Sequence, residues 1–311
     1  MIVTLTFNPA VDKTIRVHSL AMGRVNRVSE SQLDSAGKGI NVSRVVDRLG
    51  WPTIAFGFLA GEIGMLVARA LNEEGVQSHF LSVPGQTRLN VTIFDEATGN
   101  GTSFFDHGPQ VSSERMKDMH EVMRPWLRVC QVLVLAGSLP PGVPDNAYAD
   151  YIRLGRSMGV KTILDADGDP LRLGVQARPY LIKPNLSEAE HLMNRPLPDL
   201  SAVQQAALEI TANGIEVAVI SMGARGAIGA QRGQVWHAIP PKIQRQSTVG
   251  SGDSMVAGLA VALAQGLDIV EGLKLGTAAG AATAMTPGTS LAAPEDIASL
   301  LPQVQIRALA K

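Results

Sequence analysis

Only one of the 311 residues, Cys130, is a cysteine. This excludes an intrachain disulfide framework and any multi-cysteine zinc site. Aromatic side chains make up 4% of the chain, too few for the stacking platforms that bind single-stranded nucleic acid. Neither charge sign is in excess: 27 Lys and Arg face 28 Asp and Glu, a net charge of −1, so bulk electrostatics offers nothing to a polyanion. The six histidines show no H-x-x-x-H or comparable spacing, which argues against a zinc enzyme. No uninterrupted apolar run approaches the ~18 residues of a membrane-spanning helix. The opening MIVTLTFNPAVDK lacks the basic n-region of a signal peptide and reads as a strand. A cytoplasmic protein with no nucleic-acid and no membrane partner is expected. Internal repeats and low-complexity tails are also missing.

Three familiar catalytic patterns are absent as well. No G-x-x-x-x-G-K-[ST] occurs, so the chain has no P-loop. Ser138 lies in G-S-L-P rather than G-x-S-x-G, so a hydrolase elbow has no support. Gly250-Ser251-Gly252 does not complete G-x-G-x-x-G, because Met255 occupies the third glycine position. It also falls late in the chain, which disfavours a nicotinamide-dependent dehydrogenase.

What is present is 45% apolar and 18% charged residues, an ordinary composition for a folded α/β chain. Short β-branched runs (Ile2–Phe7, Thr53–Phe58, Val129–Ala136, Lys161–Leu164, Tyr180–Lys183, Glu216–Ser221) alternate with helical stretches. The helices are expected at Gly39–Leu49, Gly64–Glu74, Asn146–Met158, Ser187–Met193, Ser201–Asn213, Val256–Gln265 and Leu273–Met285. Such alternation implies crossover units, hence a mostly parallel sheet with helices on both faces. Two segments, about 12–36 and 87–107, instead alternate apolar and polar residues and carry a hairpin signal at Glu96–Gly101. They are read as a small antiparallel β lid inserted into a single α/β domain spanning 1–311. The alanines and glycines of the last two helices suit close backbone packing.

The most informative segment is Ser247-Thr248-Val249-Gly250-Ser251-Gly252-Asp253-Ser254, directly before an apolar helix. Glycines at a helix start expose backbone N–H groups, and the helix dipole favours an anion there. Two readings of Asp253 stand at this level. It is an ordinary N-terminal acidic residue, or a base that takes a proton from an attacking hydroxyl beside a bound phosphate. A second cluster, Ser35-Ala36-Gly37-Lys38-Gly39-Ile40-Asn41, also opens a helix. Lys38 could meet a phosphate, and Asn41 a sugar hydroxyl. Asp12, after the first strand, and the loops Gly137-Ser138-Leu139-Pro140, Lys183-Pro184-Asn185 and Ser221-Met222-Gly223 share one address, the carboxyl end of a strand. Ligands of open α/β sheets bind there.

Taken in order, NPAVD, AGKGINVSR, TRLN, GSLPPGV, KPNLSE, SMGARGA and STVGSGDSMVAG resemble the phosphofructokinase B branch of the ribokinase-like sugar kinases. NPAVD with AGKGIN is most similar to the 1-phosphofructokinase group, with tagatose-6-phosphate kinases very close. The resemblance implies a ribokinase-like fold and ATP-dependent phosphorylation of a ketohexose phosphate. Fructose 1-phosphate is the expected acceptor; tagatose 6-phosphate and fructose 6-phosphate are alternatives, and a non-catalytic sugar-phosphate sensor is the reading from another class. It further implies Asp253 as catalytic base and an anion hole at Gly250, Ser251 and Gly252. Asp12, Gly37, Gly39 and Asn41 would hold sugar hydroxyls. Lys38, Arg88, Ser138 and Arg27 would meet the acceptor's phosphate. Lys183, Asn185, Ser221, Gly223, Gly226 and Ser247 would face ATP, and Glu188 would organise Mg²⁺. A K⁺ ion is expected near the Ser247 and Val249 carbonyls and the Thr286-Pro287-Gly288 turn. The lid is expected to clasp a second copy in a homodimer.

Overall fold

A computed structural model describes residues 1–310. The chain enters directly into β1 (Ile2–Thr6), every residue of which is buried, as befits a central parallel strand. It leaves the body at Asn8-Pro9 to form β2 (Ala10–Val17) and β3 (Glu30–Ala36), and α1 (Lys38–Arg48) brings it back. Next come β4 (Thr53–Leu59), α2 (Gly61–Glu73) and β5 (Ser78–Ser82). A second excursion supplies β6 (Arg88–Asp95) and β7 (Asn100–Phe104). The middle of the chain is α3 (Ser113–Leu127), β8 (Val132–Ala136), α4 (Ala147–Ser157), β9 (Lys161–Asp165), α5 (Gly168–Gln176) and β10 (Leu181–Ile182). Then follow α6 (Leu186–Met193), α7 (Leu200–Ala212), β11 (Val217–Ser221), β12 (Ala227–Gln231) and β13 (Gln234–Ile239). The chain closes with α8 (Ser251–Ala264), α9 (Ile269–Ala284), α10 (Pro294–Leu300) and β14 (Gln305–Leu309).

The main sheet has ten strands in the order β14-β13-β12-β11-β10-β9-β8-β1-β4-β5. From β11 to β5 all neighbours pair parallel, and the β12, β13 and β14 edge is antiparallel. Each face is covered by its own apolar cluster. One holds Phe7, Phe56, Met119, Met123 and Tyr148. The other holds Val42, Val132, Val256, Ala260 and Ala278. On the second face α8 and α9 pack almost backbone to backbone: a Cβ on Gly258 would lie 2.6 Å from the Gly276 nitrogen. The small residues of the last third therefore serve close helix packing, as expected.

The lid is a separate four-stranded sheet in the order β3-β2-β6-β7. Its outer pairs are antiparallel, and its central pair, β2 with β6, is parallel. Both central strands start at the body and run outward, which makes them parallel, whereas each outer strand returns.

Several boundaries differ from the expected ones. The strand expected from Val129 begins at Val132; Val129 is 64% exposed in the turn that follows α3, a helix not anticipated. Helices α2, α8 and α9 start at Gly61, Ser251 and Ile269 rather than Gly64, Val256 and Leu273. The first turns of α2 (Gly61-Glu62-Ile63-Gly64) and α8 (Ser251-Gly252-Asp253-Ser254) are mostly Gly, Ser and acidic residues, which carry little apolar periodicity, whereas α9 opens on Ile269-Val270 behind its Asp268 cap. The β12–β13 hairpin turns on Arg232-Gly233, both with positive φ (49° and 76°), the requirement of a tight two-residue hairpin.

Candidate active site

The candidate residues gather at the carboxyl end of the parallel strands, where β1, β8, β9, β10 and β11 hand over to loops and helix starts. The centre is the N-terminus of α8. Gly250 precedes it with φ 76°, a backbone conformation that β-carbon-bearing residues adopt with strain. No side chain caps this helix. Among the described residues, the N–H groups of Gly250, Gly252 and Asp253 donate to no group, and that of Ser251 makes only a long 3.4 Å bond to the Thr248 carbonyl. Free donors at a positive helix end form a ready anion site. The Lys183 ammonium adds charge there: it lies 3.6 Å from where a β-carbon on Gly252 would be.

Asp253 stands in the first turn of α8 and is buried. One carboxylate oxygen accepts a 2.8 Å hydrogen bond from Asn41 Nδ2 on the first turn of α1. Burial, and then the negative charge of Asp165, raise its pKa to about 6, while Lys38, Asn41 and Lys183 act in the opposite sense. A carboxylate tuned upward yet still ionised near neutrality is suited to accept a proton.

Around Asp253 lies a cluster of charges. Asp165, at the end of β9, is 1% exposed. Its Oδ1 lies 3.3 Å from Lys38 Nζ and 3.5 Å from Lys183 Nζ. Lys38 Nζ also lies 3.7 Å from Glu188 Oε1. Burial alone would push Asp165 up, but the two ammonium groups hold it below the usual carboxylate range. Burial likewise opposes the Lys38 charge, yet Asp165, Glu188 and Asp253 hold its pKa above the ordinary lysine value. Asp165 was not among the sequence candidates. Its signal was available, because it ends a strand as the chosen loops do.

A second group converges on Asn8, also missed in the sequence. The Asn8 carbonyl accepts from Arg88 Nε and NH2 at 3.2 and 2.9 Å. Its side-chain amide donates to Ser138 Oγ at 3.3 Å and to the His107 carbonyl at 3.0 Å. Arg88 and Ser138, expected near one phosphate, are thus brought together through one residue. Nearby, Asp12 accepts a 2.8 Å bond from Asn90 Nδ2, and burial raises its pKa against the pull of Asn90 and Arg88. Gly37 is the N-cap of α1 and Gly39 lies in its first turn, beside Asn41. Arg27 is not drawn in: it sits exposed between β2 and β3, with no hydrogen bond or ion pair among the described residues.

The remaining candidates line the other side. Asn185 and Glu188 form a capping box at the start of α6, with bonds of 2.9 and 2.8 Å. Asn185 also bridges to Ser221 at the end of β11. Gly223 and Gly226 close the turn after that strand, where Gly226 N–H donates to the Gly223 carbonyl at 2.9 Å. Ser247 Oγ donates to the Gly288 carbonyl at 2.5 Å, which ties the strand-to-helix loop to the 286–290 turn. Thr289 in that turn donates to Asp34 of the lid.

Residues 5–296 match the model of the pfkB family carbohydrate kinases, and the chain belongs to this family. It is 37% identical over 308 residues to the 1-phosphofructokinase of Vibrio cholerae serotype O1, covering 99% of this chain and 97% of that one. It is 35% identical over 315 residues to the 1-phosphofructokinase of Rhodobacter capsulatus, covering 99% and 98%. Among solved structures it is similar to phosphofructokinase-2 of Escherichia coli in complex with potassium, with a TM-score of 0.91, 30% identity, and 97% and 98% of the two chains covered. The protein is thus a sugar kinase of the ribokinase-like fold, as the motifs implied.

Proposed function

We propose that the protein transfers the γ-phosphoryl group of ATP to fructose 1-phosphate, giving fructose 1,6-bisphosphate and ADP. The observation that carries the chemistry is Asp253: a buried carboxylate, raised to about 6, beside free N–H donors at the α8 N-terminus. The acceptor hydroxyl gives its proton to Asp253 as its oxygen forms a bond to the γ-phosphorus and the bond to the β-phosphate oxygen breaks. Gly250, Ser251, Gly252 and the Lys183 ammonium face the transferring group. Such a reaction needs alignment and charge neutralisation more than covalent help. The choice of fructose 1-phosphate rests on the relatives of that name.

In this reading Asp12, with Asn90 fixing its carboxylate, and Gly37 and Gly39 receive sugar hydroxyls, while Asn41 orients Asp253. Arg88 and Ser138 take the acceptor's phosphate. Lys38, held among Asp165, Glu188 and Asp253, sits toward the transferring group as much as toward the acceptor. Asn185, Ser221, Gly223, Gly226 and Ser247 form the nucleotide side. The residues fit Mg²⁺: Asp165 Oδ2 is buried with no hydrogen-bond partner among the described residues, and with Glu188 it offers the hard oxygen donors that hold a hydrated magnesium ion. Bound there with the nucleotide, the ion would neutralise phosphate charge. The Ser247 and Val249 carbonyls and the 286–288 turn are the proposed K⁺ site.

Residues 1–311 are read as one domain with an inserted lid. The outer lid carries Leu33, Phe104, Phe105, Met22 and Val25, all more than half exposed. A second copy would cover that surface in a homodimer; sedimentation showing only monomer at micromolar concentration contradicts this.

The substrate is tested by ADP release from Mg-ATP with fructose 1-phosphate, fructose 6-phosphate and tagatose 6-phosphate in parallel, and fructose as control. A preference of tenfold or more in kcat/KM for fructose 1-phosphate, about 1.4 kcal/mol in the transition state, supports the assignment. Preference for another ketohexose phosphate reassigns the acceptor, and no turnover with any of them sinks the phosphate-pocket reading.

A further inference from the structure

A cleft of about 400 Å³ opens at the far end of the sheet from Asp253, where β9, β10 and β11 begin. Its rim carries Arg156, Lys161 and Arg178, and its inner wall includes Pro179, Tyr180 and Ile215. None of the three cations makes an ion pair among the described residues. The acid in the wall, Glu216, is already engaged by Arg232 Nε at 2.8 Å and Gln231 Nε2 at 3.2 Å. Three positive charges without an ion pair among the described residues therefore share one concave surface with Pro179, Tyr180 and Ile215, on a chain whose net charge is −1.

The cations are held there by the fold. Arg156, on the last turn of α4, reaches the carbonyl of Ala177 at 3.4 Å, one residue before Arg178. Lys161 opens β9 and places its ammonium 5.2 Å from the centre of the Tyr180 ring. Arg178 has a left-handed backbone, φ 57°, which a side chain of this size rarely adopts. Opposite it, Gly214 leaves the space the Arg178 side chain runs through: a β-carbon there would meet the Arg178 stem and guanidinium at 3.1 to 3.4 Å. The left-handed residue ends α5: Arg178 follows the Ala177 C-cap, and its N–H donates to the Val175 carbonyl at 3.0 Å. Guanidinium forks suit phosphate oxygens, and the aromatic and aliphatic floor suits a carbon skeleton.

We infer that this cleft is a second ligand site, separate from the sugar and nucleotide sites, for a small organic phosphomonoester. The phosphate lies between Arg156, Lys161 and Arg178, and the carbon skeleton lies on Tyr180, Pro179 and Ile215. The strands it touches also carry the candidate active site. Lys161 and Asp165 are the two ends of β9, roughly 13 Å apart at ~3.3 Å per residue; Lys183 follows β10 and Ser221 ends β11.

The test is isothermal titration of the full chain with phenyl phosphate and with inorganic phosphate. The wild type is compared with R156Q/K161Q/R178Q and with R178G. R178G removes one cation and relieves the left-handed backbone, so it is not expected to unfold the chain. None of these residues belongs to the kinase machinery, so the kcat and KM of every variant should match wild type. The wild type should bind one equivalent of phenyl phosphate more than the triple variant, and R178G should bind that equivalent at least fivefold more weakly. Inorganic phosphate should bind it at least tenfold more weakly than phenyl phosphate. Equal stoichiometry in wild type and triple variant overturns the site, and equal affinity for the two probes overturns the organic part of the ligand. Because the variants are scored by binding, failure here is distinct from failure of the kinase assignment.

Discussion

Replacing Asp253 by Asn should make the folded protein more stable, with the gain depending on pH. The carboxylate is buried, and burial with the charge of Asp165 raises its pKa from 3.8 to about 6. About two units at ~1.36 kcal/mol each come to roughly 3 kcal/mol. In the unfolded chain the group ionises near its ordinary value. Between about pH 4 and pH 6 the native state therefore binds the extra proton, and stability falls as pH rises through that window. Above pH 6 the cost is fully present, and below pH 4 it vanishes. Asparagine keeps the shape, still accepts from Asn41, and carries no charge to bury. With ~2 °C per kcal/mol for a chain of this size, the variant should melt roughly 6 °C above wild type at pH 8. The two should converge toward pH 4. Scanning calorimetry of the ligand-free proteins at pH 4.5, 6 and 8 measures this. A gap that is absent at pH 8, reversed, or constant across the series would refute the claim that Asp253 is held ionised at a cost.

The same shift should appear in catalysis: kcat/KM should fall on the acid side with an apparent pKa near 6, and a flat profile down to pH 4.5 would contradict it. Arg88→Ala should raise the KM for the sugar phosphate tenfold or more, with the KM for ATP within twofold, because Arg88 is gathered with Ser138 around Asn8 and away from the nucleotide side. Asp165→Asn leaves buried Lys183 without its counter-charge. Loss of one partner of a buried pair costs ~3 kcal/mol or more, so its melting temperature should fall by several degrees, and the acid limb of its kcat/KM should move to lower pH as Asp253 loses a negative neighbour.

The body of the fold was legible because a parallel sheet writes itself as apolar runs at regular intervals. The lid was legible because its strands alternate. What escaped was either locally unremarkable or dependent on distant chain. Helix α3 has a polar, Met-containing sequence with Pro125 inside it, and β14 pairs with a strand far back in the chain. An apolar run also does not say which member faces the core, and so the strand expected from the sequence starts at Val129, ahead of the observed β8. In the site, the glycine-rich helix starts at Gly37–Gly39 and Gly250–Gly252 point to Lys38 and Asp253 as candidates, although an ordinary N-terminal acid is an equal reading of Asp253 from the sequence alone. Asp165 and Asn8 gave weaker signals: one acid at a strand end, one Asn before a proline. Their importance lies in what meets them in space, two lysines at Asp165 and Arg88 with Ser138 at Asn8. The sequence suggests a sugar hydroxyl as the partner of Asn41, and only the folded chain puts it 2.8 Å from Asp253.

The central claim is that Asp253 removes the acceptor's proton. Its most direct test is ADP release from Mg-ATP and fructose 1-phosphate by Asp253→Asn beside wild type, with the fold checked by the melt described above. The account predicts a kcat lower by ~10²–10⁴, the usual size of a general-base effect, with both KM values within a few-fold. Wild-type turnover by the folded variant would contradict it.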